Sequence, residues 1–245
     1  MDVTSEQTRD LLRLRGRPLG PCVMRQRWRD LLFLHWRFPL EEVQRTLPAG
    51  LQVDAFDGSA WIGVIPFLMR RVRPTGLPAV PGISNFLECN VRTYVHDGRG
   101  LRGVWFYRLD ANQPLAVEIA RRVFRLPYEH SRMGAFRRDG WLEYDNEPRG
   151  ADAQRFVYRP RGPIFEAVAG SLEFFLTERY VLFACGGGAR LMSGRVHHPP
   201  YRLQEAEVAE FSAAGVAVAG LVVPGREPDH AVYSRGVDVR IHALT

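Results

Sequence analysis

A chain of 245 residues, 46% of them hydrophobic, is long enough to bury the core of one large β-rich domain or two small ones. Its 33 basic residues against 27 acidic ones give a net charge of +6, and every basic residue is arginine, so no side-chain amine exists to form an imine with a carbonyl substrate. The longest apolar run, residues 213–223, is too short to span a bilayer, and MDVTSEQTRDLLRLRGR lacks a signal peptide's apolar centre, which predicts a soluble cytoplasmic protein with no membrane partner.

Residues 4–15 read as a short helix with Thr4 and Gln7 placed as a capping box, and GRPLGPC breaks it. A β-like run covers 28–38. At its start Arg25, Arg27 and Arg29 flank Trp28, an arrangement that could track a nucleic-acid backbone. The arginines are spread along the chain and interleaved with acids, so a solvated strand edge is the better reading and no nucleic-acid partner is expected. PLEEVQRTLP reads as a short helix opening at Pro39 and closing before Pro48. LQVDAF and SAWIGVIPFLM flank Asp57-Gly58, which predicts a hairpin over 50–69.

After the Pro-rich RPTGLPAVPG comes FLECNVRTYV, 86–95, which alternates strictly. Phe86, Glu88, Asn90, Arg92 and Tyr94 share one face, and Leu87, Cys89, Val91, Thr93 and Val95 the other. GVWFYRLDA, 103–111, is a second strand. Apolar spacing predicts a helix from Pro114 to Phe124, stopping before Pro127. Several short strands are expected over 140–159, then a helix capped by Ser171 with Glu173 in its first turn, leading into a strand through Phe183. The Gly186-Gly187-Gly188 run lacks the lysine and helix of a phosphate loop and reads as a hairpin turn. ARLMSGRVHH, YRLQEAEVAEF, GVAVAGLVV and HAVYSRGVDVRIHAL read mainly as strands.

Many strands with few short helices imply a β-rich α+β fold: a large, mostly antiparallel sheet that closes wholly or partly into a barrel to avoid open edges, with the helices packed outside. Residues 1–22 form an N-terminal helix and arm, and 23–245 a single barrel domain. Cys22, Cys89 and Cys185 are odd in number and widely spaced, which supports neither a disulfide framework nor a cysteine zinc site.

Seven blocks carry a resemblance: HW at 35–36, LPAGLQVDAFDGSAWIGVIPFLM at 47–69, ECNVRTYV at 88–95, GVWFYRLDA at 103–111, LPY at 126–128, SLEFFLTERY at 171–180 and VHHPPYRLQ at 196–204. In this order they resemble the YqjF-like family, domain of unknown function 2071, which is related to acetoacetate decarboxylase. The resemblance implies the acetoacetate decarboxylase-like barrel with a site inside it. In acetoacetate decarboxylase two lysines, one of them the Schiff-base residue, follow a proline just after a helix. The similar place here is ARRVFRLPYEH, where Tyr128 and Glu129 follow Pro127. Glu88 resembles the strand carboxylate that the decarboxylase sets near its lysine.

The central question is where the polar face of 86–95 looks. Periodicity alone favours a half-buried strand with that face in water, whereas the resemblance turns it inward. Turned inward, Arg92 suits a bidentate hold on a carboxylate, with Glu88 orienting it between ligands, or the two simply neutralise each other. Asn90 and Tyr94 share that face. Tyr128 would be a general acid, or a base if a nearby arginine lowers its pKa, or a packed loop phenol. Arg179, in the Glu178-Arg179-Tyr180 cluster, would bind ligand or close a helix-end ion pair. His198 is a candidate for proton transfer. Adjacent His197 and His198 point to opposite strand faces, so with His35 and Glu88 they make a poor metal set, and no metal or other cofactor is expected.

These readings predict an interior pocket for a small anionic or carbonyl-containing ligand. Glu88 and Tyr128 would be catalytic, and Arg92, Asn90, Arg179, Tyr94 and His198 would bind substrate. The chemistry would be that of a non-Schiff-base lyase, hydratase or hydrolase. The alternative is a non-catalytic small-molecule binder derived from the decarboxylase fold, and a homo-oligomer is compatible with either.

Overall fold

The computed structural model describes residues 3–185 and 190–244, so the predicted Gly186-Gly187-Gly188 turn lies outside the described residues. Helix α1 (Val3–Leu14) is followed by β1 (Cys22–Phe38), α2 (Leu40–Gln44), β2 (Leu51–Val53), β3 (Ala60–Pro74), β4 (Phe86–Asp97) and β5 (Arg102–Ala111). Then come α3 (Pro114–Val123), β6 (Tyr128–Arg138), β7 (Trp141–Pro148), β8 (Gln154–Glu166), α4 (Leu172–Thr177), β9 (Val181–Cys185), β10 (Leu191–His197), β11 (Arg202–Glu210) and β12 (His230–Leu244). Among the described residues no helix is long and apolar enough to cross a membrane.

The strand pairings close twice. One ring runs β5-β6-β7-β8-β11-β12-β1-β3-β4 and back to β5, and a second runs β5-β9-β10-β12-β1-β3-β4 and back to β5. The two share the wall β12-β1-β3-β4-β5, which is antiparallel throughout, while β6 and β9 each join β5 in parallel. A shared wall is buried on both faces, which is why DLLFLHWRF and AWIGVIPFLM are nearly continuous apolar runs rather than alternating ones. Alternate residues sort to opposite sides. Phe33, Ile65, Phe67 and Phe86 face the smaller ring, while Leu34, Val64, Leu87 and Cys89 face the larger ring, against Tyr144, Phe156 and Tyr158.

Local chemistry starts and stops the helices. Gln113 caps α3 by accepting from the Leu115 amide, with Pro114 in the first turn. Ser171 caps α4 by accepting from the Phe174 amide at 3.2 Å. Three expectations need correction. Thr4 already lies inside α1, and Gln7 donates to Asp54 Oδ1 (2.7 Å) and the Ala55 carbonyl (3.0 Å) instead of closing a capping box. Asp57-Gly58 does make a tight turn, both residues at positive φ and Phe56 bridged to Ser59, but β2 then pairs with β4 and not with β3. GVAVAGLVV is not a strand: Ala214–Ala219 is a turn of 3-10 helix. Its small side chains let the backbone lie close to β4, where a Cβ on Gly215 would stand 3.0 Å from Val91.

Gly236 on β12 sits opposite Arg29 with φ 129°, and a Cβ there would lie 1.9 Å from the Trp28 carbonyl oxygen. Gly236→Ala is therefore expected to lower unfolding free energy by about 3 kcal/mol or more, read by urea denaturation.

Candidate active site

The smaller ring encloses a cavity of about 370 Å³. Every second residue of β4 from Phe86 to Arg92 lines it, so the polar face of this strand looks neither into water nor into packed core. Tyr128, from the start of β6, and Arg179, just after α4, line it too. Glu88, Asn90, Arg92, Tyr128 and Arg179 thus meet in one enclosed space. Tyr94 and His198 do not line it.

Glu88 Oε2 accepts a 2.6 Å hydrogen bond from the Tyr128 hydroxyl, and the Asn90 side chain also bonds the carboxylate. Burial pushes Glu88 up from 4.5 to about 7, against the pull of those two hydrogen bonds. Tyr128 is driven well above the ordinary phenol value, first by burial and then by the adjacent carboxylate. Its neighbour is an acid rather than an arginine, so Tyr128 keeps its proton and serves as a donor, not as a base. Tyr144 reaches from the larger ring to donate to the Glu88 carbonyl at 2.8 Å, which fixes the backbone beneath the carboxylate.

Arg92 is buried, and among the described residues no carboxylate lies within ion-pair distance of it. Glu88 does not orient it: the two stand four residues apart on one strand, ~13 Å between Cα atoms. Instead Arg92 donates to the Leu176 carbonyl (3.1 Å) and the Tyr94 hydroxyl (3.4 Å), with its guanidinium against the Phe33 and Tyr94 rings. Its Nε has no hydrogen-bond partner, and neither have Arg179 Nη2 and Asn90 Oδ1. Buried donors left free beside a cavity are positioned for a ligand's oxygens.

A layer of neutral groups holds this arrangement from behind. Tyr94 donates to the Leu176 carbonyl at 2.8 Å, so its oxygen accepts from His35 Nε2 at 2.7 Å, and His35 Nδ1 then accepts from His230 Nδ1 at 3.1 Å. Burial drives His35 well down, helped by His230 and Arg92, and burial takes His230 down to about 4. Arg179 is fixed by Asp54 at 2.6 Å, and Asp54 also binds Arg102 and Gln7 of α1. Glu178 turns away from the cavity to accept from the Tyr201 amide (3.0 Å) and the Tyr180 hydroxyl. His198 packs between Tyr180 and Tyr201, with Nδ1 bonded to the Pro199 carbonyl at 2.8 Å, which makes it a supporting ring.

Sequence reasoning missed Asp54, His35 as a partner of Tyr94, and His230. The one available signal for Asp54 is a lone acid inside the apolar LQVDAF. His230 carries none.

The doubly closed sheet with its cavity is the acetoacetate decarboxylase-like fold. The acetoacetate decarboxylase of Legionella pneumophila superposes with a TM-score of 0.66 at 10% identity, over 94% of this chain and 90% of that one. The enduracididine biosynthesis enzyme MppR, complexed with pyruvate, gives 0.65 at 13% identity, over 94% and 92%. The DUF2071 model, described as an uncharacterized conserved protein, matches residues 25–238, and the chain belongs to that family. The uncharacterized protein YqjF of Bacillus subtilis (strain 168) is 37% identical over 214 residues, 86% of this chain and 87% of that protein.

Glu88 ties stability to pH. Below pH 4.5 it is neutral in the folded and unfolded chain alike, and between 4.5 and about 7 only the unfolded chain ionises. The folded state therefore loses about 3 kcal/mol as pH rises through that window. Glu88→Gln removes this dependence, so the variant should gain on the wild type by about 3 kcal/mol between pH 4.5 and 8, read by urea denaturation across pH.

Proposed function

We propose that the cavity binds a carboxylate through Arg92, assisted by Arg179, and that Glu88 with Tyr128 transfers protons at a carbonyl-activated carbon of the same ligand. The observation that carries this reading is Arg92, a buried cation facing the cavity with no carboxylate partner among the described residues. An unpaired buried charge costs stability, and a ligand carboxylate would offset that cost through charge-assisted hydrogen bonds.

A carboxyl group brought to about 7 holds both protonation states in useful amounts near neutrality, as a general acid-base group needs. In enolisation the ionised Glu88 takes the proton from the carbon beside the carbonyl, the C–H electron pair forms the new carbon–carbon π bond, and the carbonyl π pair moves onto the oxygen. Hydration, dehydration and hydrolysis use the same group in either direction. Tyr128 fixes the carboxylate's direction by its hydrogen bond, and Tyr94 positions Arg92. With no lysine in the chain, none of these steps passes through an imine. MppR is complexed with pyruvate, which carries the two groups this reading needs, a carboxylate and a carbonyl; in this cavity a ligand would hold them further apart. The missing lysine equally favours a second reading, in which the same anion seat binds ligand without turnover.

Two variants separate these readings. Arg92→Met should abolish the thermal stabilisation that monocarboxylates and oxo acids give the wild type, while raising the unliganded protein's own stability by about 1–2 kcal/mol because a buried unpaired charge is gone. The Leu176 carbonyl is not stranded by that change, since Tyr94 still donates to it. Glu88→Gln should keep binding but lose the exchange of carbonyl-adjacent protons in D2O, followed by proton NMR. Unchanged binding in Arg92→Met would sink the anion seat, and exchange unaffected by Glu88→Gln would leave the non-catalytic reading.

A further inference from the structure

We infer that the ligand is an elongated amphiphilic acid, its carboxylate on Arg92 and Arg179 and its apolar chain running past Glu88 and out between α3 and the loop that follows β3. This inference rests on the anion seat proposed above and goes further in naming the ligand's shape and class.

The polar groups of the cavity fall at two separate levels. Arg92 and Arg179 both lie against the Tyr94 ring, their guanidinium carbons 5.6 and 4.8 Å from its centroid. Arg92 is tied to Leu176 and Tyr94, at the far end from Glu88. Glu88 and Tyr128 sit at the other level, ~13 Å back along the β4 backbone, with Asn90 between. A three- or four-carbon oxo acid that puts its carboxylate on Arg92 does not bring its carbonyl to Glu88. A ligand meeting both needs a spacer, and the wall that spacer would touch is hydrocarbon, with Phe33, Ile65, Phe67, Val104 and Phe106 lining it. The volume of about 370 Å³ falls in the range that takes larger organic ligands, ~300–1,000 Å³.

The mouth extends the apolar character outward. Leu77, Val80 and Ile83 in the loop and Ile119 on α3 line the cavity and are also exposed. Loop and helix are held together by Gln113 Nε2, which donates to the Gly82 carbonyl at 2.8 Å. Single exposed apolar side chains need no explanation, but four that converge on the entrance of an apolar cavity form a continuous path for a chain.

Calorimetric titration of acetate, hexanoate, decanoate and 1-decanol into the full chain tests this. Affinity is expected to rise about fourfold per added methylene from hexanoate to decanoate. Arg92→Met should weaken decanoate at least tenfold and leave decanol unchanged, and Ile119→Asn should weaken decanoate but not hexanoate. Acetate binding as tightly as decanoate, with both lost in Arg92→Met, overturns the elongated ligand while the anion seat stands. Binding of no acid at any length, or decanol and decanoate binding alike in wild type and in Arg92→Met, overturns the seat and the inference with it. A chain-length dependence that survives both variants reports adsorption elsewhere on the surface and overturns the inference.

Discussion

Burial of β4 on both faces is the constraint from which the rest follows. A strand at the rim of a sheet can let polar side chains face water, but β4 stands in the wall shared by two closed rings and has no wet side. Its Leu87, Cys89 and Val91 go into a packed interior with Tyr144, Tyr158 and the 3-10 turn. Its even-numbered residues, which include an acid, an amide and a guanidinium, must then be satisfied inside the protein or by something that enters it. The solid lobe makes the hollow one tolerable: dense packing on one face holds a backbone that the other face leaves partly uncovered.

The electrostatics of the hollow side follow from the same burial. Histidines so placed would repel Arg92 if charged, and burial keeps them neutral, so His35 and His230 relay a direction rather than a charge. Asp54 neutralises part of the charge on Arg102 and Arg179, and among the described residues no carboxylate does the same for Arg92. Glu88 escapes ionisation cost by holding its proton until near neutrality. Among the described residues, the buried Arg92 in the cavity wall has no carboxylate within ion-pair distance.

The sequence made the walls legible and the contents less so. The strict alternation of FLECNVRTYV marked the strand that lines the cavity, yet the same alternation describes a half-wet strand, and only long-range ring closure distinguishes the two. Strand β6 went without a prediction because its pattern is polar and largely exposed, although Asp139-Gly140 is a hairpin turn with both residues at positive φ. GVAVAGLVV has no periodicity, and an apolar run of that length does not separate strand from helix. The Glu88–Tyr128 bond joins residues 40 apart through the parallel placement of β6 beside β5, which no local pattern encodes. Asp54, His35 and His230 are structural partners of the site's side chains, and partnership across strands is invisible to spacing.

The tie between Gln7 and Asp54 gives the amino-terminal helix a part in the site's outer wall. Leu11 and Leu14 are buried, and Arg195 donates to the Leu14 carbonyl at 2.6 Å, so α1 packs against the barrel by its apolar side and its carboxyl end. A chain shortened to the start of β1 would uncover the carboxylate that steadies Arg179. The choice of where to begin a recombinant protein, or where to fuse a purification handle, is therefore also a choice about the state of the cavity.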